Sequence, residues 1–333
     1  VPEKRTEPLA AENRAESDGR TIRLAVIIAP SVNQPPLPDP VVHLAGGPGG
    51  SSLIEMDSLI AAGVNQDRDL ILMSQRGTLF ADPELTCTVL DEYYVESLNF
   101  PVDAQDNRDA HIAASETCYL QQSGSGIDLS AYNTVENAAD FADLRKALGI
   151  AEWNVFGVSY GTYLAQTLMY QHPEGIRTVT LDSVEPLDDA KMASFIADNA
   201  SEAFGNLFAA CEAQPACAAR YPDLAGTFTR LVNELEADPV TATVQVSPGD
   251  PPVEVVLDGG AIVNGIIDTA FRTQEYPNVP AWIDELDNGE PENMAITRAI
   301  PALIPPDILG YGMGFGMLCS GYVAEDSEAS VLT

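Results

Sequence analysis

At 333 residues, 45% of them apolar, the chain has material for one large domain or for a core with an inserted cap. Its 50 Asp+Glu against 16 Lys+Arg leave a formal net charge of −34, a surface that repels nucleic acid and anionic lipid and excludes both as partners. The acidity reads as a means of staying soluble, as in a saline habitat, with a preference for cationic substrates as the alternative.

Residues 1–20 are polar and predict an extended arm. Val1 stands where an initiator methionine would, and no charged-then-apolar segment opens the chain. This fits a mature form whose leader has been removed, or a chain cut at that point. Ile22–Ile28 predicts one strand, and the prolines at 35, 36, 38 and 40 a turn-rich connection. Val41–Leu44 predicts a short buried strand running into the glycine loop Gly46-Gly47-Pro48-Gly49-Gly50, after which Ser51 or Ser52 caps a helix to about Gly63. Asp69–Met73 is a further continuous apolar run, whereas residues 81–130 read as a long polar excursion rather than a core element. Thr134 is placed to cap a helix in which Val135, Ala138, Ala142, Leu144 and Leu148 follow helical spacing to a stop at Gly149. A strand at Trp153–Phe156, a helix from Tyr160 to about Gln171 and a strand at Thr178–Leu181 follow. Strands alternating with helices in this way predict an α/β fold, a mostly parallel sheet with helices on both faces.

After Pro186 the alternation stops. Residues 188–237 are nearly all helix formers, 240–258 read as a polar hairpin around Pro248–Pro252, and 260–300 are helical again. We therefore expect residues 1–186 to form the N-terminal part of a core, 187–315 a largely helical cap, and 316–333 the start of a return to the core. No window reaches the roughly 18 uninterrupted apolar residues of a membrane span. Cys211 and Cys217, with Pro215 between them, suit a local disulfide. Cys87 and Cys118 bracket the polar excursion, where a bridge closing roughly 30 residues contributes about 3–4 kcal/mol. No Cys-x-x-Cys or Cys/His cluster has zinc spacing, so the cysteines read as disulfides of a secreted or periplasmic protein, with Cys319 left over.

The chemistry concentrates at Gly157-Val158-Ser159-Tyr160-Gly161. A serine hydroxyl needs exposure, a base and a place for the oxyanion before it is a useful nucleophile. Between an apolar strand and a helix, a Gly-x-Ser-x-Gly turn supplies the exposure, because glycines on both sides of the serine let strand and helix approach closely. The helix starting at Tyr160 adds its positive dipole end beside the developing charge. The loop at 46–50 also follows a strand, so the N–H of Gly46 or Gly47, with that of Tyr160, would complete an oxyanion hole. A phosphate cradle is the other reading of this loop, but the Gly-Lys-Ser/Thr ending is missing and Pro48 removes a donor. Nothing in the sequence calls for a metal or cofactor.

Together these stretches resemble the prolyl iminopeptidase and tripeptidyl aminopeptidase-like group of α/β-hydrolases. The family's Gly-Gly-Pro-Gly loop is present at 46–49. Its Asp-Gln-Arg-Gly stretch appears as Ser74-Gln75-Arg76-Gly77, with serine in place of aspartate. Its Asp-Leu-x-x-Leu-Arg-x-x-Leu-Gly helix corresponds to Asp140–Gly149 with Phe141 at the first leucine, Gly-x-Ser-Tyr-Gly-Thr is intact at 157–162, and Leu-Asp-x-Val stands at 181–184. Gly314–Cys319 is a weaker match to a cysteine-ended stretch after the cap, and Ala45 stands where iminopeptidases carry histidine. The resemblance implies acyl-enzyme chemistry on Ser159 and a cap carboxylate that anchors the substrate's α-ammonium, with Glu185, Asp188, Asp189 and Glu202 as candidates.

In this fold the triad runs Ser, then Asp or Glu, then His. His172 lies thirteen residues beyond Ser159 on the same predicted helix, roughly 20 Å along its axis, and reads as the helix end. His43 reads as a hydrogen-bonded core residue and His111 as part of the excursion. Asp182 is a candidate acid for a variant triad, although the resembling family takes its acid after the cap. The absent base, the odd Cys319 and a sheet that ends at 178–181 predict that acid and base lie on a C-terminal companion fragment or a deleted stretch, with a nick near Glu325–Ser330. The expected activity is that of an exported serine aminopeptidase releasing N-terminal proline or short peptides. A carboxylesterase or lactone hydrolase is the alternative, and a non-catalytic binding homologue the third reading.

Overall fold

The computed structural model describes residues 4–6, 8–16, 18–187, 192–270 and 272–319. The chain forms two compact units, one of Val1–Cys87, Cys118–Ala193 and Pro306–Thr333, the other of Thr88–Thr117 and Ser194–Pro305. In chain order the first stretch comprises β1 (Lys4–Thr6), β2 (Leu9–Ala11), β3 (Thr21–Leu24), β4 (Val26–Ala29), β5 (Val41–Leu44), α1 (Met56–Ala61), β6 (Leu70–Met73) and β7 (Ala81–Asp82). Then follow α2 (Thr88–Ser97), α3 (Gln105–Gly124), α4 (Thr134–Ala147), β8 (Trp153–Val158), α5 (Tyr160–Gln171) and β9 (Ile176–Asp182).

In the first unit a six-stranded sheet has the order β1-β4-β6-β5-β8-β9. The ladders from β6 through β5 and β8 to β9 are parallel, and those joining β1, β4 and β6 are antiparallel. Along β4 and β6 successive side chains alternate between two clusters, as the period of a strand requires. Val26, Ile71 and Met73 pack with Phe141, Trp153 and Leu164, whereas Ile27, Leu70 and Leu72 pack with Leu53 and Leu59. This two-faced burial is what the continuous apolar runs encode.

The structure departs from expectation at several points. The strand predicted over Ile22–Ile28 is two strands in two sheets: β3 pairs with β2 and β7, and β4 with β1 and β6. The break falls at Ala25, whose carbonyl accepts the Ser74 N–H at 2.8 Å. Residues 81–130 are largely helical rather than a polar excursion. Of the four residues α3 buries, only Ala114 and Cys118 are apolar, Asn107 and Gln122 being the others, so its apolar stripe is too thin to see in the sequence. Asn133, not Thr134, caps α4, accepting the Glu136 N–H at 3.0 Å. Cys87 is joined to Cys118 and Cys211 to Cys217, and Cys319 is free and exposed.

The second unit adds α6 (Met192–Ala213), α7 (Pro215–Arg220), α8 (Leu224–Ala237), the hairpin of β10 (Val240–Val244) and β11 (Val253–Leu257), α9 (Gly259–Ala270), α10 (Val279–Asp287) and α11 (Glu292–Ala302). Its core is built on helical spacing, as in Leu224, Phe228, Leu231 and Leu235 of α8, packed with Val255, Leu257, Ile262, Ile283 and Met294. The chain returns to the first unit in α12 (Tyr311–Met317), where Met313 and Met317 enter its main cluster.

One buried ion pair ties the first unit together. Arg76 has no exposed side-chain surface and meets Asp140 through two bonds, Nε to Oδ2 at 2.8 Å and Nη2 to Oδ1 at 2.9 Å. Its remaining donors go to the carbonyls of Glu12 (2.7 Å), Ala131 (2.6 Å) and Ala11 (3.3 Å). Arg14 of the N-terminal arm adds bonds to Glu136, Asp140 and Asp143 at 2.6, 2.7 and 2.9 Å. Asp140→Ala should therefore lower the unfolding free energy by about 3–5 kcal/mol, because it strands a buried guanidinium. Urea denaturation measures this, and a loss under about 1 kcal/mol would contradict the role given to the pair.

Candidate active site

β8 delivers Ser159 at the C-terminal edge of the parallel strands, and α5 begins at the next residue. Ser159 has φ 53° and ψ −126°, a region non-glycine residues enter at a cost of about 1–3 kcal/mol. The turn is held by its surroundings. The Ser159 N–H donates to the Asp182 carbonyl at 3.0 Å, and the Ser159 carbonyl accepts both the N–H and the hydroxyl of Thr162 at 2.7 Å. The two flanking glycines are required by close approach. A Cβ on Gly157 would strike the Gly161 carbonyl, and one on Gly161 would strike the Leu44 carbonyl.

Ser159 occupies the cap position of α5, yet its side chain makes no capping bond. The hydroxyl instead donates to Glu185 Oε1 at 3.3 Å. Glu185 is anchored on the first turns of α5: its N–H donates to Thr162 Oγ1 at 2.8 Å, and its carbonyl accepts Gln166 Nε2 at 2.7 Å. The Glu185 backbone is thus fixed beside Ser159 by two hydrogen bonds.

Gly46 lies against this turn, where an added Cβ would sit 3.0 Å from both Ser159 Cβ and the Val158 carbonyl. Gly47 has φ 124° and Gly49 φ 111°, and the Gly49 carbonyl accepts the N–H of Gly310 just ahead of α12 at 3.0 Å. Tyr160 turns its ring inward. Its hydroxyl is buried, lies 3.4 Å from Asn137 Nδ2 and from Thr134 Oγ1, and is pushed well above the usual tyrosine range by burial. It is a protonated hydrogen-bonding group at any ordinary pH.

The other sequence candidates are engaged elsewhere. His43 is buried, with Nδ1 3.2 Å from the Phe156 carbonyl and Nε2 2.7 Å from Glu55, so both ring nitrogens face acceptors away from Ser159. His172 ends α5 through its N–H to the Leu168 carbonyl. His111 belongs to the second unit, where it stacks on Tyr93 and burial holds its pKa below the usual histidine value. Asp182 contributes its carbonyl to the turn, and its carboxylate accepts the Ser183 hydroxyl at 3.3 Å. Asp188 and Asp189 lie outside the described residues, and Glu202 is exposed on α6. Glu185 was one of four carboxylates the sequence offered for the substrate's ammonium, with nothing to choose it over the others, and Gln75 and Asn137 went unassigned. The signal for Glu185 was its place three residues past β9, because the C-terminal ends of adjacent parallel strands converge on one site.

A family model described as the alpha/beta hydrolase fold matches residues 39–252, well over half of the chain. The chain belongs to the α/β-hydrolase fold family. A protein of Streptomyces coelicolor named tripeptidyl aminopeptidase is 29% identical over 181 residues, covering 51% of this chain and 33% of that one. A protein of Xylella fastidiosa named proline iminopeptidase is 33% identical over 90 residues, 26% of this chain and 29% of that one. The matches thus span about a third of the length of these curated relatives. A solved α/β hydrolase fold protein from Chitinophaga pinensis aligns at 18% identity over 59% of this chain and 52% of that one, with a TM-score of 0.33. Among the described residues no helix is long and apolar enough to cross a membrane.

The close packing at the turn gives a sign test. Gly→Ala inside a helix ordinarily stabilises by about 1 kcal/mol. Gly161→Ala should instead destabilise by roughly 1–3 kcal/mol, the usual range for overpacking, since the new methyl group meets the Leu44 carbonyl. Chemical denaturation reads the sign, and a stabilised variant would refute the close approach.

Proposed function

We propose that this chain carries the nucleophile and oxyanion half of a serine aminopeptidase site. The observation that carries the reading is Ser159 itself, held at φ 53° with its hydroxyl released from the helix and Gly46 packed against it. Ser159 Oγ attacks the scissile carbonyl, its proton passes to a base, and the oxyanion forms between the N–H groups of Tyr160 and Gly46 or Gly47. The C–N bond breaks, the amine leaves with the proton, and water then releases the acyl group from Ser159. The base and its carboxylate partner are assigned to a part of the protein outside residues 1–333. This is supported by the engagement of both His43 ring nitrogens elsewhere, by the place of His172 at the far end of α5 from Ser159, and by the free outer edge of β9 among the described residues. The two disulfides favour an exported protein.

Glu185 gives the substrate end of the proposal. A carboxylate 3.3 Å from the nucleophile suits an ammonium on the residue whose carbonyl is attacked. An extended residue spans about 3.3–3.6 Å, so the ammonium of a tripeptide would lie roughly 7 Å further away. Release of a single N-terminal residue is therefore favoured over release of a tripeptide.

Glu185→Gln should raise KM about tenfold or more for aminoacyl arylamides with a free amine, the factor expected from a charge-assisted bond of ~1.5 kcal/mol. It should leave short acyl esters unaffected. Steady-state kinetics on single-residue arylamides, tripeptidyl arylamides and esters make the comparison. Turnover of esters alone would replace the peptidase reading with an esterase, and full activity from residues 1–333 alone would remove the outside base.

A further inference from the structure

We propose that Gln75 and Asn137 position the two oxyanion donors, a role that rests on the reading of Ser159 as nucleophile. Neither residue touches solvent, and neither has a part in the steps above. Gln75 Nε2 donates to the Ala45 carbonyl at 3.0 Å. That carbonyl and the Gly46 N–H belong to one planar trans peptide and point in opposite directions. Holding the carbonyl on the buried side therefore turns the Gly46 N–H to the other side of the peptide and selects Gly46 over Gly47 as donor. Asn137 Nδ2 donates to Gln75 Oε1 at 2.7 Å and lies 3.4 Å from the Tyr160 hydroxyl. Tyr160 supplies the second backbone N–H from the first turn of α5. One buried chain, Ala45 to Gln75 to Asn137 to the Tyr160 hydroxyl, thus links the Ala45–Gly46 peptide to the side chain of the residue that carries the second donor.

A purely space-filling role does not account for this choice of residues. Amides are costly to bury, and Asn137 Oδ1 is buried with no hydrogen-bond partner, whereas apolar side chains of similar shape would avoid that cost. What the amides supply is a fixed separation between two N–H groups before the substrate arrives. Such preorganisation lowers the barrier without strengthening ground-state binding.

The test uses the active protein with Gln75→Met, which keeps length and loses the donor, and Asn137→Asp, which keeps shape and loses the donor to Gln75. Each is measured for kcat, KM, affinity for an aminoacyl boronate that forms a tetrahedral adduct on serine, and affinity for the amino-acid product. We expect kcat to fall about 10²–10³-fold with KM within about twofold, the range for loss of an oxyanion donor. Boronate affinity should fall in step with kcat/KM while product affinity holds. A folded Gln75→Met with wild-type kcat and boronate affinity overturns the proposal, as does an equal loss of boronate and product affinity. Should both variants fail to fold, the wild-type Gln75 side-chain amide resonance decides: it should shift when the boronate binds, because its hydrogen-bonded peptide becomes polarised, and an unmoved resonance overturns the role. A wild type that neither turns over substrate nor binds boronate defeats the nucleophile reading instead, which is a separate result.

Discussion

A guanidinium sealed from water is the constraint on which the first unit depends. Arg76 satisfies its donors with Asp140 and three backbone carbonyls, and so fastens the N-terminal arm, the end of β6 and α4 to one another. Its neighbour Gln75 turns toward Ala45, while Asn137 and Asp140, three residues apart on α4, present one face to the Gln75-Arg76 pair. The same contact thus serves stability through Arg76 and site geometry through Gln75. Breaking the pair with a single truncation leaves a buried charge, which is far costlier than replacing both partners.

The elbow at Ser159 is the counterpart of that rigidity. A serine at φ 53° persists only because the Asp182 carbonyl, Thr162 and three glycine contacts over-determine it. The strain leaves the hydroxyl outside the helix's own capping pattern, and Glu185 receives it. The carboxylate beside Ser159 thus sits in a chain whose overall balance is strongly acidic.

Much of the fold was legible in the sequence because the signals were local. The continuous runs of β5 and β6 and the glycine turn around Ser159 each name their element. The disulfides at Cys87–Cys118 and Cys211–Cys217 also followed from spacing alone. What stayed hidden depended on partners distant along the chain. The apolar run over Ile22–Ile28 does not reveal that its halves join different sheets. The helices α2 and α3 bury too few apolar residues to show a stripe. Gln75 reads as one polar residue in a motif until Ala45 and Asn137 are seen on either side of it. Glu185 was one of several acidic residues in its region until the clamp by Thr162 and Gln166 singled it out.

The central claim is that Ser159 is a built nucleophile. Reaction of the purified protein with a fluorophosphonate, followed by peptide mapping in a mass spectrometer, tests it most directly. One phosphonyl adduct is expected, on Ser159. An unlabelled Ser159, or labelling spread evenly over surface serines, would contradict it and leave the fold serving a binding function instead.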